Sequence, residues 1–177
     1  MPEDVKVLGE GKFIRLVAAD GWEWAERMKV SGVIAVAAAA RGKIILTEQY
    51  RRPLKANVIE VPAGLAGDSA EDAGEDVELA ARRELLEETG YEARKWERMF
   101  DGPLSVGMTT EVVSFFRATG LKKVSEGGGE GFENITVHEV SLRKAAEWLA
   151  EQTAAGKLVD PKVYVGLYLL GTAAKSR

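Results

Sequence analysis

From Gly32 to Ala40 the chain reads GVIAVAAAA, apolar on both sets of alternate positions. Successive side chains of a strand point to opposite faces, so a strand of this composition needs cover on both sides. The stretch SGVIAVAAAARGKIILTEQY folds back at Arg41-Gly42, and KFIRLVAADGWEWAERMKV does so at Asp20-Gly21, both as hairpin signals between extended runs. NVIEVP reads as a further short strand, and ARKWERMF, VVSFFRATG and ITVHEV as later ones. Helices are expected from about Asp76 to Thr89, closed by Gly90; over SLRKAAEWLAEQTAAG, with Ser141 as N-cap; and over DPKVYVGLYLLGTAAK, with Asp160 capping and Pro161 at the first position. AGLAGDSAEDAG and KKVSEGGGEGFEN read as loops, the second one acidic and mobile. Helices and strands alternate only in part, which points to an α/β chain with a mixed sheet between helices. No repeat or linker divides it, so 1–177 is expected to form a single domain.

Composition narrows the chemistry. The chain has no cysteine, which removes disulfides, thiolate nucleophiles and Cys-ligated zinc. Its single histidine, His138, rules out a two-histidine metal site within one chain and reads as structural, inside a strand-like run. Catalysis then falls to carboxylates, lysine, tyrosine or a hard cation such as Mg²⁺ held by oxygen. A net charge of −4 without a basic run argues against nucleic acid as a partner. The opening MPEDVKVLGEGK lacks the apolar core of a signal peptide, and the run Val33 to Ala40 is far too short to span a bilayer. A cytoplasmic location with no membrane partner is therefore expected.

The stretch RRELLEETGY is the most informative. On a helix Glu84, Glu87 and Glu88 fall within an arc of about 100°. Val77, Ala80 and Ala81 occupy the same sector a turn or two earlier, so the acidic cluster continues a small, apolar face. Taken alone, the glutamates would fit a solvated acidic face. Turned inward, they repel one another or bind protons unless a divalent cation joins them. Arg83, four residues before Glu87, can pair with it and fix its rotamer.

With its surroundings, the stretch Gly64 to Tyr91 resembles the Nudix box of the Nudix hydrolases. That pattern is a glycine, five residues, a glutamate, seven residues, then R-E-U-x-E-E-x-G-U, with U a bulky apolar residue. Glu75, Arg83, Glu84, Leu85, Glu87, Glu88, Gly90 and Tyr91 stand in register. Gly64 lies ten residues before Glu75, which implies a five-residue insertion around Ser69 to Ala73; without an insertion, Ser69 would stand where the glycine belongs. EVPAGL favours Gly64, because it resembles the way enzymes of ADP-ribose and related nucleoside diphosphate sugars lead into the box.

The resemblance implies an α/β/α sandwich with a mixed sheet, carrying extra N-terminal antiparallel strands over about 1–30 that pair or exchange in a homodimer. It implies that Glu84 and Glu88 hold Mg²⁺, or Mn²⁺, with Glu87 and the carbonyl of Ala63 as further ligands. Glu75 and Arg83 would orient the carboxylates. Trp22, in GWEWAER, would stack on the nucleobase, with Trp24 second; packing or an interface is the plainer reading of both. Arg51, in TEQYRRP, would bind phosphate, or be an ordinary surface arginine. LSVGMTTEVV is similar to S-P-G-x-[ST]-D-E of the ADP-ribose pyrophosphatases, with Glu111 matched, Val106 replacing the proline and Thr110 the aspartate. Glu111 would touch substrate or metal-bound water, unless it is a structural residue at a strand start. In SEGGGEGFEN, Glu133 falls on a metal-liganding position, while the usual base position falls on Gly131. That leaves Glu133 itself or Glu130, then Glu126, as candidate bases, against the plainer reading of a solvated acidic loop. The implied function is Mg²⁺-dependent hydrolysis of a nucleoside diphosphate sugar, with ADP-ribose and GDP-mannose the leading substrates. A triphosphate or dinucleoside polyphosphate hydrolase, and a Nudix-fold sensor that binds a nucleotide sugar without cutting it, are the alternatives.

Overall fold

The computed structural model of the chain describes residues 4–67, 74–129, 131 and 134–173. In chain order the strands and helices are β1 Lys6–Glu10, β2 Ile14–Ala19, β3 Trp22–Arg27, β4 Gly32–Ala40, β5 Lys43–Arg51, β6 Ala56–Glu60, β7 Ala63–Ala66, α1 Val77–Thr89, β8 Tyr91–Pro103, β9 Val112–Lys123, β10 Thr136–Ser141, α2 Ala145–Ala154, β11 Leu158–Val159 and α3 Pro161–Ala173. Among the described residues these strands make an antiparallel sheet β1-β2-β3 and a larger mixed sheet in the order β11-β6-β5-β4-β9-β8. The mixed sheet takes β10 on the second edge of β5 and β7 beside β4. β4 runs parallel to β9, and β6 to β11; the other pairings are antiparallel.

β4 divides the core. Ile34, Val36 and Ala38 face one layer, with Ala80, Ala81 and Leu85 of α1 and Phe116 of β9. Ala35 and Ala37 face the other, with Ala145 and Leu149 of α2 and Val163, Leu169 and Leu170 of α3. The doubly apolar strand is thus covered by helices on both faces, as its composition demands.

The hairpin of β4 and β5 opens like a fork. The strands pair only at Ala39 with Ile44 and Ala40 with Lys43, next to the turn. Beyond that they diverge, and the returning chain fills the gap. β6 pairs with β5, Pro62 accepts a hydrogen bond from the Val36 amide (2.8 Å), and β7 pairs with β4 as Ala63 with Ala35 and Gly64 with Ile34. Ala63 and Gly64 therefore sit inside the fork, under α1.

Several local readings need correcting. Ala63–Ala66 is strand β7, not loop; a short Ala/Gly segment carries no strand propensity, and its pairing comes from β4. Ser141 is the last residue of β10, paired with Lys43, and Lys144 occupies the N-cap of α2 without a side-chain bond. The five-residue insertion lies outside the described residues. No described helix is long and apolar enough to cross a membrane.

Phe116 is fully buried and meets Trp96 edge-on, with ring centroids 6.3 Å apart. Phe116→Ala is expected to cost about 3–5 kcal/mol, read as a lowered urea midpoint with an unchanged slope.

Candidate active site

Helix α1 begins where Asp76 accepts a hydrogen bond from the Glu78 amide (2.8 Å), and ends at Gly90 in the left-handed conformation, φ 74°. Its inward face carries Ala80, Ala81 and Leu85 and runs on into Glu88, which is buried at 5% exposure. The acidic cluster does continue the apolar face, and Arg83 stands within it. One guanidinium nitrogen of Arg83 meets Glu87 at 2.9 Å and Glu84 at 3.1 Å; the other meets Glu75 at 3.1 Å and the Leu65 carbonyl at 3.0 Å. Those carboxylates, Glu75 first, hold Arg83 more firmly charged than an ordinary arginine. The fork presses against this cluster. A Cβ on Gly64 would lie 2.1 Å from the Glu84 carboxyl carbon, so any other residue there would displace that carboxylate from its place. The Ala63 amide donates to Glu88 Oε2 at 3.1 Å.

Part of this cluster lines a cleft of about 370 Å³. Glu84, Glu88, Ala63 and Gly64 form one wall, and Arg51 and Glu111 also line it. Arg51 pairs with Glu60 at 2.7 Å, and Glu111 with Arg27 at 2.5 Å. The arginines and carboxylates are thus already ordered around the opening. Glu87 is turned to Arg83 and does not line the cleft. Among the described residues no three carboxylates converge on one point fit for an ion. The acidic groups that face the cleft are still oxygen donors only, with Glu84 and Glu88 one helical turn apart beside a backbone strand, a set that suits a hard cation such as Mg²⁺.

Trp22 is elsewhere. With Trp24, Val106, Met108 and Thr109 it lines a separate recess, and it is 64% exposed. Trp24 donates to Glu26 (3.0 Å), and the Thr109 hydroxyl is buried with no hydrogen-bond partner among the described residues. Glu130 and Glu133 lie outside the described residues. The described part of their loop is anchored rather than loose: the Gly128 and Gly129 amides donate to the carbonyls of Glu88 and Glu87, at 2.9 and 3.1 Å. His138 is structural, as expected, bonded to Glu48 at 2.8 Å and packed on Trp148.

Residues 28–156 match the NUDIX domain. This chain belongs to the Nudix family. It is 33% identical over 147 residues to the methanol dehydrogenase activator of Bacillus methanolicus, covering 82% of this chain and 75% of that protein. It is 38% identical over 122 residues to the ADP-ribose pyrophosphatase of Bacillus subtilis (strain 168), covering 68% of this chain and 63% of that one. It is 33% identical over 131 residues to the GDP-mannose pyrophosphatase of Pectobacterium atrosepticum, covering 70% of this chain and 63% of that one. The chain thus spans less than two thirds of either pyrophosphatase. A crystal structure of an ADP compounds hydrolase superposes with a TM-score of 0.74 over 99% of this chain and 94% of that one; at 17% identity this bears on fold alone. Proteins of the Nudix family generally work with a divalent metal.

Sequence reading missed Arg27, Gln49, Glu60 and Lys162, which also line the Nudix cleft. Gln49 and Glu60 stood within TEQYRRP and EVPAGL, and Arg27 closes GWEWAER, so the signal was present but unassigned. Lys162, at the start of α3, had none. Arg83→Met would leave Glu75, Glu84 and Glu87 facing one another without their common cation. It is expected to destabilise the fold by about 3 kcal/mol at pH 7, measured by urea unfolding.

Proposed function

We propose that this Nudix protein hydrolyses the diphosphate bond of a nucleoside diphosphate sugar, of the ADP-ribose or GDP-mannose class, with Mg²⁺ or Mn²⁺. Water attacks one phosphorus, the bridging P–O bond breaks, and a nucleoside monophosphate and a sugar phosphate leave. The observation that carries this reading is the shared cleft: Glu84, Glu88 and the Ala63 backbone on one wall, Arg27 and Arg51 also lining it. The likeness to the ADP-ribose and GDP-mannose pyrophosphatases supports the substrate class.

On this reading Glu84, Glu88 and the Ala63 carbonyl would hold the cation, with Glu87 as a further ligand. A cation held by these residues would offset phosphate charge and lower the pKa of water. Arg51 and Arg27 turn from Glu60 and Glu111 toward phosphate oxygens, where a planar guanidinium binds two at once. Glu111 is then free to accept a hydrogen bond from substrate. Gly64 keeps the Glu84 carboxylate seated, and Arg83 and Glu75 fix the helix rotamers. Glu133 supplies a further ligand, and Glu130 or Glu133 takes the proton of the attacking water.

A second reading is favoured by the longest of these alignments, the one with a protein named methanol dehydrogenase activator. On that reading this domain would bind a nucleotide sugar without cutting it and act through another protein. Incubation with ADP-ribose, GDP-mannose, ADP-glucose, UDP-glucose and nucleoside triphosphates in Mg²⁺, with products identified by chromatography, separates the readings. Monophosphate and sugar phosphate are expected from at least one diphosphate sugar, and Glu88→Gln is expected to slow that reaction at least about a hundredfold while remaining folded. Binding without turnover across the panel would sink the hydrolase assignment.

The same proposal includes a homodimer. β2 exposes Ile14 and Leu16 at 52% and 43%, on the face that Arg27 shares and opposite to Trp22, apolar surface of the kind a second copy covers. In the dimer the Trp22 recess of one protomer meets the base of a nucleotide held in its partner's cleft. Sedimentation at micromolar concentration is expected to show a dimer, and Ile14→Glu a monomer with a raised KM.

A further inference from the structure

A second cavity, of about 360 Å³, lies at the other end of β4. The acidic cleft touches this strand at Val33 and Ile34, and the second cavity touches it at Ala40; six residues of strand separate the two by about 20 Å. Arg41, Lys43, Lys122 and Lys123 line the second cavity, with Glu139 the one carboxylate. In a chain of net charge −4, this is a concave, locally positive site of small-molecule size.

The charges are not used up by one another. Glu139 accepts from Tyr91 at 2.6 Å and from Lys43 at 3.1 Å. Lys123 reaches Glu126 at 3.0 Å, but that carboxylate is 94% exposed and its hold is weak. Arg41 makes no ion pair among the described residues, and Lys122, paired with Glu92 across the two strands, projects to the other face of the sheet. Tyr91 is 6% exposed, and burial, with Glu139 second, pushes its phenol up to about 12, so it remains a neutral donor on the wall of the cavity. Each carboxylate oxygen of Glu139 keeps a lone pair for a ligand hydroxyl.

We propose that this cavity is a second anion site, which takes the phosphate monoester of a small phosphorylated molecule through Arg41 and Lys123, the latter on the same face of the sheet as Tyr91. An arginine without an ion-pair partner among the described residues and a lysine in a solvent-exposed pair repel one another at rest, and a dianion relieves that repulsion with charge-assisted hydrogen bonds. Glu139 gives the site a preference for an ester whose organic part carries a hydroxyl.

The test is calorimetric titration of the protein without Mg²⁺, at constant ionic strength, with inorganic phosphate, ribose 5-phosphate and adenosine monophosphate, and with ribose as the uncharged control. Saturable binding of at least one phosphate is expected, with a matching rise in thermal midpoint. The order among the three identifies the source of the phosphate group. Arg41→Asn suits the left-handed backbone at this turn, φ 48°. Combined with Lys123→Gln it should weaken binding about tenfold, while Glu88→Gln in the acidic cleft should leave it within about twofold. Lys123→Gln alone serves if the double variant does not fold. No saturable binding, binding that the cavity variants leave unchanged, or binding that Glu88→Gln abolishes would each overturn the proposal.

Discussion

Arg83 is the group on which the acidic site depends. A helix that turns carboxylates toward a sheet needs a positive charge among them, or they repel each other and take up protons. Arg83 supplies it through one fork that meets Glu75, Glu84, Glu87 and the Leu65 carbonyl together. Its planar geometry places two carboxylates on one nitrogen and a carboxylate and a backbone oxygen on the other. A lysine ammonium, compact and with no fixed plane, has no such fork to offer. The helix can therefore pack closely with its acidic end intact, and Glu88 can be buried against the Ala63 amide.

Close packing at that point also depends on how the sheet opens. β4 and β5 separate after two pairs of residues, and β6 and β7 fill the space between them. This puts the Ala63-Gly64 backbone directly beneath Glu84, where a side chain would collide. The glycine is needed for space rather than for an unusual backbone angle. At the other end of α1 the Gly128 and Gly129 amides bind the carbonyls of Glu88 and Glu87, so the backbone of those residues is held from the glycine loop as their side chains are held from the fork.

The layered fold was legible because its cause is local: a strand apolar at every position needs two covering layers, and Gly32–Ala40 is such a strand. The limits of α1 were legible for the same reason, since Asp76 and Gly90 act on their own neighbours. The contact between Arg83 and Glu87 follows from helical spacing. β7 and β11 were not legible, because short strands owe their existence to partners distant in sequence. Arg27 and Lys162 reach the cleft for equally non-local reasons: one by the path of β3, the other by the packing of α3 on the sheet. The family pattern marks a single helix and its approach, and says little of what the rest of the chain brings to the opposite wall.

That opposite wall divides the two faces of β3 between different tasks. Side chains alternate along a strand, so Trp22 and Trp24 share one face and Arg27 lies on the other. The tryptophans line their own recess, while Arg27 lines the cleft and pairs with Glu111. Five residues of strand, about 17 Å, and a change of face separate Trp22 from Arg27. On the proposed function, phosphate held at Arg27 and a base stacked on Trp22 of the same protomer would have to lie on opposite sides of one strand. A second copy removes the contradiction. The exposed Ile14 and Leu16 of β2, on the face that Arg27 shares, would bring a partner's recess to this cleft, and the segment from Leu104 to Glu111 would set its position, since Ala25 of β3 bonds to Met108 at 2.8 Å. Base recognition and bond cleavage would then reside on different chains, so a monomer with an undamaged acidic helix would still bind its nucleotide poorly.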